Sequence, residues 1–397
     1  MEKKILYVGF NGFPAGLAQV QRQKLIAKGL VHHGYQVTVL NRYGVHNSNS
    51  NIPAAGTVEG IDYLYASKTA LRENSFLKRN FLKIKGLFGE IAFCFKFFRN
   101  SRKNSAIIIT TNNFHNVIIY AMLAKLAGVP SILDNVEHFS SVTRKKSLGK
   151  SINDKLYDKL GFRLVSKVIC ISDFLLNIAK QSKPDSLVLK IPAIVDFSEF
   201  ELPIVKDDKH YFLYCGTLSY KEVIVFIIEA FEKLAGSQQF YLYLVCSGGN
   251  DKDLNTIKDR ISTSKKAELI QFHTALPYEQ LVNLYMNSKA LLIPLRHTNQ
   301  DKARFPHKIG EYSASSSAII STNTGEMKSY FSDNLNALLC DNYNSSEFSG
   351  KMAYVADNPE IAETIGKNGR LLGEEEFDYL RLTGKISAFI ANNSPGS

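Results

Sequence analysis

The sequence predicts two doubly wound α/β (Rossmann-like) domains in tandem, and three observations carry that expectation. Short apolar strands alternate with helical stretches twice over, the pattern that builds parallel sheets wrapped by helices. A segment with two prolines, Lys190–Pro203, interrupts the rhythm between the two series. At 397 residues the chain exceeds one ordinary core and suits two domains of roughly 150–200 residues. The expected domains are 1–195 and 196–376, with a closing helix near 377–390 packing back on the first.

In the first series Lys4–Val8 and Gln36–Leu40 read as strands, with an amphipathic helix, Ala18–His32, between them. Ile107–Thr110, Ser131–Asn135, Val168–Ile171 and Leu187–Ile191 continue the strands, crossing through helices Val117–Ala127 and Asp173–Lys180. Ala127-Gly-Val-Pro130 stops one helix and starts a strand. The second series has strands near Tyr211–Cys215, Tyr241–Cys246, Glu268–Phe272, Ala290–Pro294, Ala318–Ser321 and Ala337–Cys340. Helices Glu222–Leu234, Asp251–Thr263, Tyr278–Asn287 and Ser345–Val355 separate them. Pro359–Gly373 and Phe377–Ile390 close the chain as helices, and Asn392–Ser397 reads as a loose tail. Two such domains are expected to face each other across a cleft, because strand ends and helix N-termini offer free backbone N–H groups.

Composition narrows the class. An apolar share of 45% and a charged share of 21% fit a folded globular chain. Five scattered cysteines show no disulfide or metal spacing, so a cytoplasmic setting is expected. The N-terminus reads as a strand, not a signal peptide, and no run approaches the roughly 18 apolar residues of a membrane span. Charge is lopsided: residues 1–200 hold 28 Lys/Arg against 13 Asp/Glu, whereas residues 201–397 hold 20 against 24. The basic first half points to an anionic partner.

Two turns carry the chemistry. Arg304-Phe-Pro-His-Lys-Ile-Gly-Glu-Tyr312 lies between two apolar strands, with Lys308 and Glu311 three apart on one helix face. Gly216-Thr-Leu-Ser-Tyr-Lys221 follows a strand and opens a helix, where backbone N–H groups and Lys221 suit a phosphate; the plainer reading is an ordinary turn with a solvated lysine. Together they resemble the GT-B glycosyltransferases of family four over nearly the whole chain. Phe305-Pro-His-Lys-Ile-Gly-Glu-Tyr312 looks like the branch whose motif reads Phe-Pro-x-Lys-x-x-Glu-Tyr. Ala275-Leu-Pro-Tyr-Glu-Gln-Leu-Val-Asn-Leu-Tyr285 resembles the segment beside the nucleotide base, and Phe13-Pro-Ala-Gly-Leu-Ala18, followed by Arg22, the first-domain loop near donor and acceptor.

The resemblance implies a nucleotide-sugar co-substrate, no cofactor, no metal and retention of anomeric configuration. It puts Gly16, Gly216, Thr217, Lys221, Leu276, Arg304, Phe305, Pro306, His307, Lys308 and Glu311 at the donor, with Glu311 on the ribose. Two departures stand out. The first Glu of the family's Glu-x7-Glu pair is Ala303 here, leaving His307, Asp301 or backbone amides to hold the sugar. The Arg that many relatives place after the first glycine is Thr217, so Arg304 and Lys308 are expected to supply charge to the leaving diphosphate. Lys221 and Lys308 are therefore the catalytic cations, with Glu137 and His138, at the mouth of the first sheet, facing acceptor or transferred sugar. Loop polarity and helix capping are the plainer account of Glu137 and His138; Asn112, Asn113 and His115 are weaker candidates.

Asp251-Lys-Asp253 begins a helix, where acidic residues suit the dipole better than they suggest a metal. The stretch Phe76–Asn104 has eight Lys/Arg, one acid and seven Phe, as a segment lying on an anionic membrane would; the alternative is a core helix pair with solvated lysines. Nucleic acid is not expected. The reading is a cytoplasmic enzyme, peripheral at the inner face of the plasma membrane, acting on a polyprenyl-diphosphate-linked glycan in surface (capsule or exopolysaccharide) synthesis. Its rivals are a nucleotide-sugar epimerase and a non-catalytic scaffold.

Overall fold

The computed structural model describes residues 3–47, 49–99, 105–142, 146–201, 203, 205–235, 239–274 and 276–392. The end of the basic stretch (100–104), Leu202, Ala275 and the tail beyond Asn392 lie outside the described residues. The chain forms two compact units, Met1–Ile194 together with Tyr379–Ser397, and Val195–Asp378.

Strands of the first unit are β1 (Lys3–Val8), β2 (Tyr35–Asn41), β3 (Ala55–Val58), β4 (Ile61–Tyr65), β5 (Ala106–Ile109), β6 (Ser131–Asn135), β7 (Lys167–Cys170) and β8 (Val188–Lys190). Their order is β3-β4-β2-β1-β5-β6-β7-β8, parallel except for the β3–β4 hairpin. Helices α1 (Ala18–His32), α2 (Phe76–Phe97), α3 (Phe114–Ala127), α4 (Leu148–Leu164) and α5 (Asp173–Lys180) connect them. Ile107, Ile108, Ile132, Leu133, Val168 and Ile169 are fully buried, as strands covered on both faces require. The closing helix α14 (Tyr379–Ala391) lies along α1, placing Leu382, Ile386, Phe389 and Ile390 in this unit's core. Gly29 is needed there, since a Cβ would sit 2.1 Å from the Thr383 hydroxyl.

Two elements here are absent from the sequence reading. The β3–β4 hairpin turns on Glu59 and Gly60, both with positive φ (52° and 78°), the conformation a two-residue hairpin loop demands. Helix α4 inverts the usual pattern: Asp154 and Asp158 face inward, and Leu148, Ile152 and Leu164 outward. The Phe-rich stretch is one helix, α2, not a helix pair. It is anchored by buried Glu90, which accepts from Arg42 Nε at 2.6 Å and the Tyr120 hydroxyl at 2.9 Å. A buried arginine, Arg22, spans the unit: it bonds the Asp134 carboxylate at 3.1 Å and donates to the carbonyls of Ile191 and Pro192 at 3.0 and 2.6 Å.

The second unit has strands β9 (Tyr211–Thr217), β10 (Tyr241–Ser247), β11 (Ile270–His273), β12 (Ala290–Ile293), β13 (Ala318–Thr322) and β14 (Leu338–Cys340). Their order, β11-β10-β9-β12-β13-β14, is parallel throughout. Helices α6 (Lys221–Lys233), α7 (Asp251–Ser262), α8 (Tyr278–Asn287), α9 (Asn299–Ala303), α10 (Lys308–Ala314), α11 (Glu326–Tyr330), α12 (Ser345–Asp357) and α13 (Pro359–Glu376) surround the sheet. The core gathers Phe212, Ile224, Ile227, Leu242, Leu292 and Ile320.

Both sheets reverse winding direction once. In the second unit the reversal lies between β9 and β12, so the turns after those two strands border one crevice. In the first unit it lies between β1 and β5, whose following turns nearly touch: a Cβ on Gly9 would sit 2.6 Å from the Thr110 carbonyl oxygen.

Candidate active site

The end of β9 is tight: a Cβ on Gly216 would lie 2.3 Å from the Tyr214 hydroxyl, so a side chain there would displace the buried Tyr214 ring. The Thr217 hydroxyl accepts from the Ser219 N–H at 3.3 Å and caps a single helical turn before α6 begins at Lys221. Lys221 Nζ lies 3.5 Å from Asp253, which sits in the first turn of α7. Among the described residues no group of three His, Cys, Asp or Glu is placed to hold a metal ion.

On the other side of the crevice, α10 is pinned to the same strand end, its Tyr312 hydroxyl accepting from the Cys215 N–H at 2.9 Å. Lys308 Nζ donates to Glu311 at 2.8 Å and lies 5.6 Å from the centre of the Tyr285 ring. His307 approaches the other Glu311 oxygen at 3.6 Å. Burial alone would raise the Glu311 carboxyl, but Lys308 and His307 more than offset it and hold it below its ordinary range. Burial would likewise lower the Lys308 ammonium, and Glu311 keeps it raised instead.

A lowered folded-state pKa gives stability that is fully present above about pH 4.5 and fades as pH falls through the lowered value. Glu311→Gln is therefore expected to flatten the acid limb of a melting-temperature profile taken from about pH 7 to about pH 3. An unchanged limb would show that Glu311 is not held ionised by its neighbours.

A third pair completes the crevice. Arg304 Nη2 meets Asp301 at 2.8 Å while its guanidinium stacks 4.3 Å from the Tyr220 ring centre, on the turn after β9. Asp301 is fully buried and also accepts from Arg296 Nε at 2.8 Å. Burial would raise its carboxyl, and the two arginines hold it low. With both oxygens so engaged, Asp301 is not available to replace the missing sugar-binding glutamate at Ala303; sequence alone suggested that it was. The Phe305 side chain is buried in the core, stacked on Tyr330 at 5.6 Å and edge-on to Phe377 at 5.5 Å. Pro306 and His307 lead into α10 and are half-buried.

Leu276 is half-buried and precedes α8, whose first residue, Tyr278, donates to Glu199 at 2.8 Å. Desolvation of the hydroxyl end and the charges of Glu311 and Glu199 raise the Tyr278 hydroxyl, although the residue as a whole is 41% exposed.

In the first unit Gly16 is exposed and packs on Val20, where a Cβ would meet the valine at 2.5 Å. Arg22, next to that loop in sequence, is occupied within the fold as described. Glu137 and His138 follow β6 and are half-buried. His138 Nδ1 lies 2.5 Å from the Ser141 hydroxyl and Nε2 lies 3.6 Å from Asp158. Asp158 in turn accepts from the N–H groups of Phe139 and Ser140 at 3.2 and 2.7 Å. The histidine is thus held in place by the loop it begins.

Comparison with known structures defines the class. A sucrose-phosphate synthase from Thermosynechococcus elongatus is 15% identical, covering 98% of each chain, with a TM-score of 0.76. A glycosyltransferase from Rickettsia africae is 18% identical over 99% of this chain and 100% of its own, with a TM-score of 0.69. Anabaena HepE, solved with UDP and glucose, is 13% identical with the same coverage and a TM-score of 0.69. The fold is GT-B. Residues 197–372 match the family described as glycosyl transferases group 1. The second unit is therefore a group 1 domain, and the chain is a glycosyltransferase. No curated protein matches the chain in sequence.

Proposed function

We propose that the chain is a retaining, metal-independent transferase of the family-four type, taking its sugar from a UDP-sugar bound by the second unit. The observation that supports this best is the set of three cation–carboxylate pairs around one crevice: Lys221–Asp253, Arg304–Asp301 and Lys308–Glu311. A diphosphate offers these cations a competing anion, and Glu311, released from Lys308, can accept from ribose hydroxyls. HepE with UDP and with UDP-glucose, and UDP-forming trehalose-phosphate synthases, share the fold, which favours uridine as the base. The acceptor is bound by the first unit and is a polyprenyl-diphosphate-linked glycan, in surface polysaccharide synthesis; the basic first half supports that choice.

Thermal-shift measurements with UDP, GDP, ADP and their sugars test the donor. A ligand at about 100 times its dissociation constant adds about 2.7 kcal/mol, so UDP and one UDP-sugar should raise the melting temperature most. Slow release of UDP from that sugar supports the transferase, and no shift with any nucleoside diphosphate removes the reading. The absence of a carboxylate at Ala303 favours one rival, a non-catalytic binder, for which a shift without any UDP release is expected. An epimerase would convert the sugar with no acceptor present.

A further inference from the structure

Three helices of the first unit carry an outer face of inverted polarity. Helix α2 turns Gly86, Glu90 and Cys94 inward. At about 100° per residue, Leu77, Phe81, Ile84, Phe88 and Phe95 gather on the opposite side. They are between 46% and 78% exposed. Lys78, Lys85 and Lys96, all exposed, flank that stripe along one edge. Helix α3 presents exposed Met122 and Leu126, and α4 presents Leu148 and Ile152. Helix α2 packs on α3, and α3 on α4.

The acids of these helices do the reverse. Glu90, Asp154 and Asp158 are all buried. Glu90 is held by Arg42, Asp154 by Lys146 and Lys150 at 2.8 Å each, and Asp158 by backbone N–H groups. Every exposed charge on α2, α3 and α4 is consequently cationic.

We infer that this face docks onto an anionic lipid surface, the α2 stripe entering the acyl boundary and the flanking lysines meeting lipid phosphates. A second copy of the chain fits it poorly, because a twofold contact sets cation against cation. Nucleic acid would engage the lysines and leave the aliphatic and phenyl stripe in water. No described helix is long and apolar enough to cross a bilayer. The surface deepens the lipid-linked acceptor reading and rests on it only for its purpose, since the charge and exposure stand without it.

The test uses the purified full chain in flotation with vesicles of phosphatidylglycerol and phosphatidylcholine, against phosphatidylcholine alone. The wild type should float with the anionic vesicles and lose binding as salt rises. Phe81→Ser/Ile84→Ser/Phe88→Ser and Lys78→Gln/Lys85→Gln/Lys96→Gln should each weaken binding about tenfold or more. These side chains are exposed, so melting temperature and vesicle-free donor hydrolysis should stay at wild-type values. Wild-type binding by both variants overturns the inference, as does a wild type that ignores anionic vesicles. A dimer that the serine variant converts to monomer also overturns it, in favour of a contact between copies. Donor hydrolysis is read separately, so failure of the transferase reading leaves the vesicle result standing.

Discussion

Lys308→Met is expected to lower kcat by about 100-fold or more, the usual cost of removing one pre-placed group that stabilises developing charge. The diphosphate gains negative charge as the glycosidic bond breaks, and Thr217 supplies no cation on the turn after β9. Lys308 lies at that strand's end, tied there through Tyr312 and Cys215. The substitution has a structural cost too, because it leaves a buried Glu311 without its lysine partner. Breaking a buried pair costs about 3 kcal/mol, and here less, since the lysine side chain is still 25% exposed. The two effects separate in Lys308→Met/Glu311→Gln, which removes the stranded carboxylate: stability should return while kcat stays low. Turnover near wild type in the single variant would remove Lys308 from catalysis, and a double variant that regains both would make its role purely structural.

The sheets were legible because their strands are continuous apolar runs, and α1, α5 and α8 could be bounded from their periodicity and flanking residues. What escaped notice broke those rules for physical reasons. The β3–β4 hairpin is short and partly exposed, and its one local signal was the Glu59-Gly60 pair between two β-prone segments. Helix α4 hides Asp154 and Asp158 and shows Leu148 and Ile152, so a search for an apolar inner face runs the wrong way. In the site, the turns after β9 and β12 could be named from residue type and position alone. Their wiring could not: Lys221 meets Asp253 from 32 positions away, and nothing local says that Asp301 serves two arginines. Phe305 shows the same limit from the other side, a motif residue whose ring belongs to the core.

That wiring makes Arg304 the second large expectation. Arg304→Met should lower kcat/KM for the donor about 10- to 100-fold, because a cation beside the phosphates acts more strongly in a partly buried crevice than in water. Arg304→Lys should recover little of it. An ammonium cannot lie flat on Tyr220 at 4.3 Å while also meeting Asp301 as the guanidinium does. Melting temperature should fall modestly in both, since Asp301 keeps Arg296 as a partner. Rescue gives the sharper result. If Arg304 supplies the charge that Thr217 does not, then Arg304→Met/Thr217→Arg places a cation back on the turn after β9 and should restore part of kcat/KM. Thr217→Arg alone should then add little. A pair of variants with no rescue, or an Arg304→Lys enzyme with full activity, would mean that Arg304 serves only to anchor α9 through Asp301, with the diphosphate left to Lys221 and Lys308.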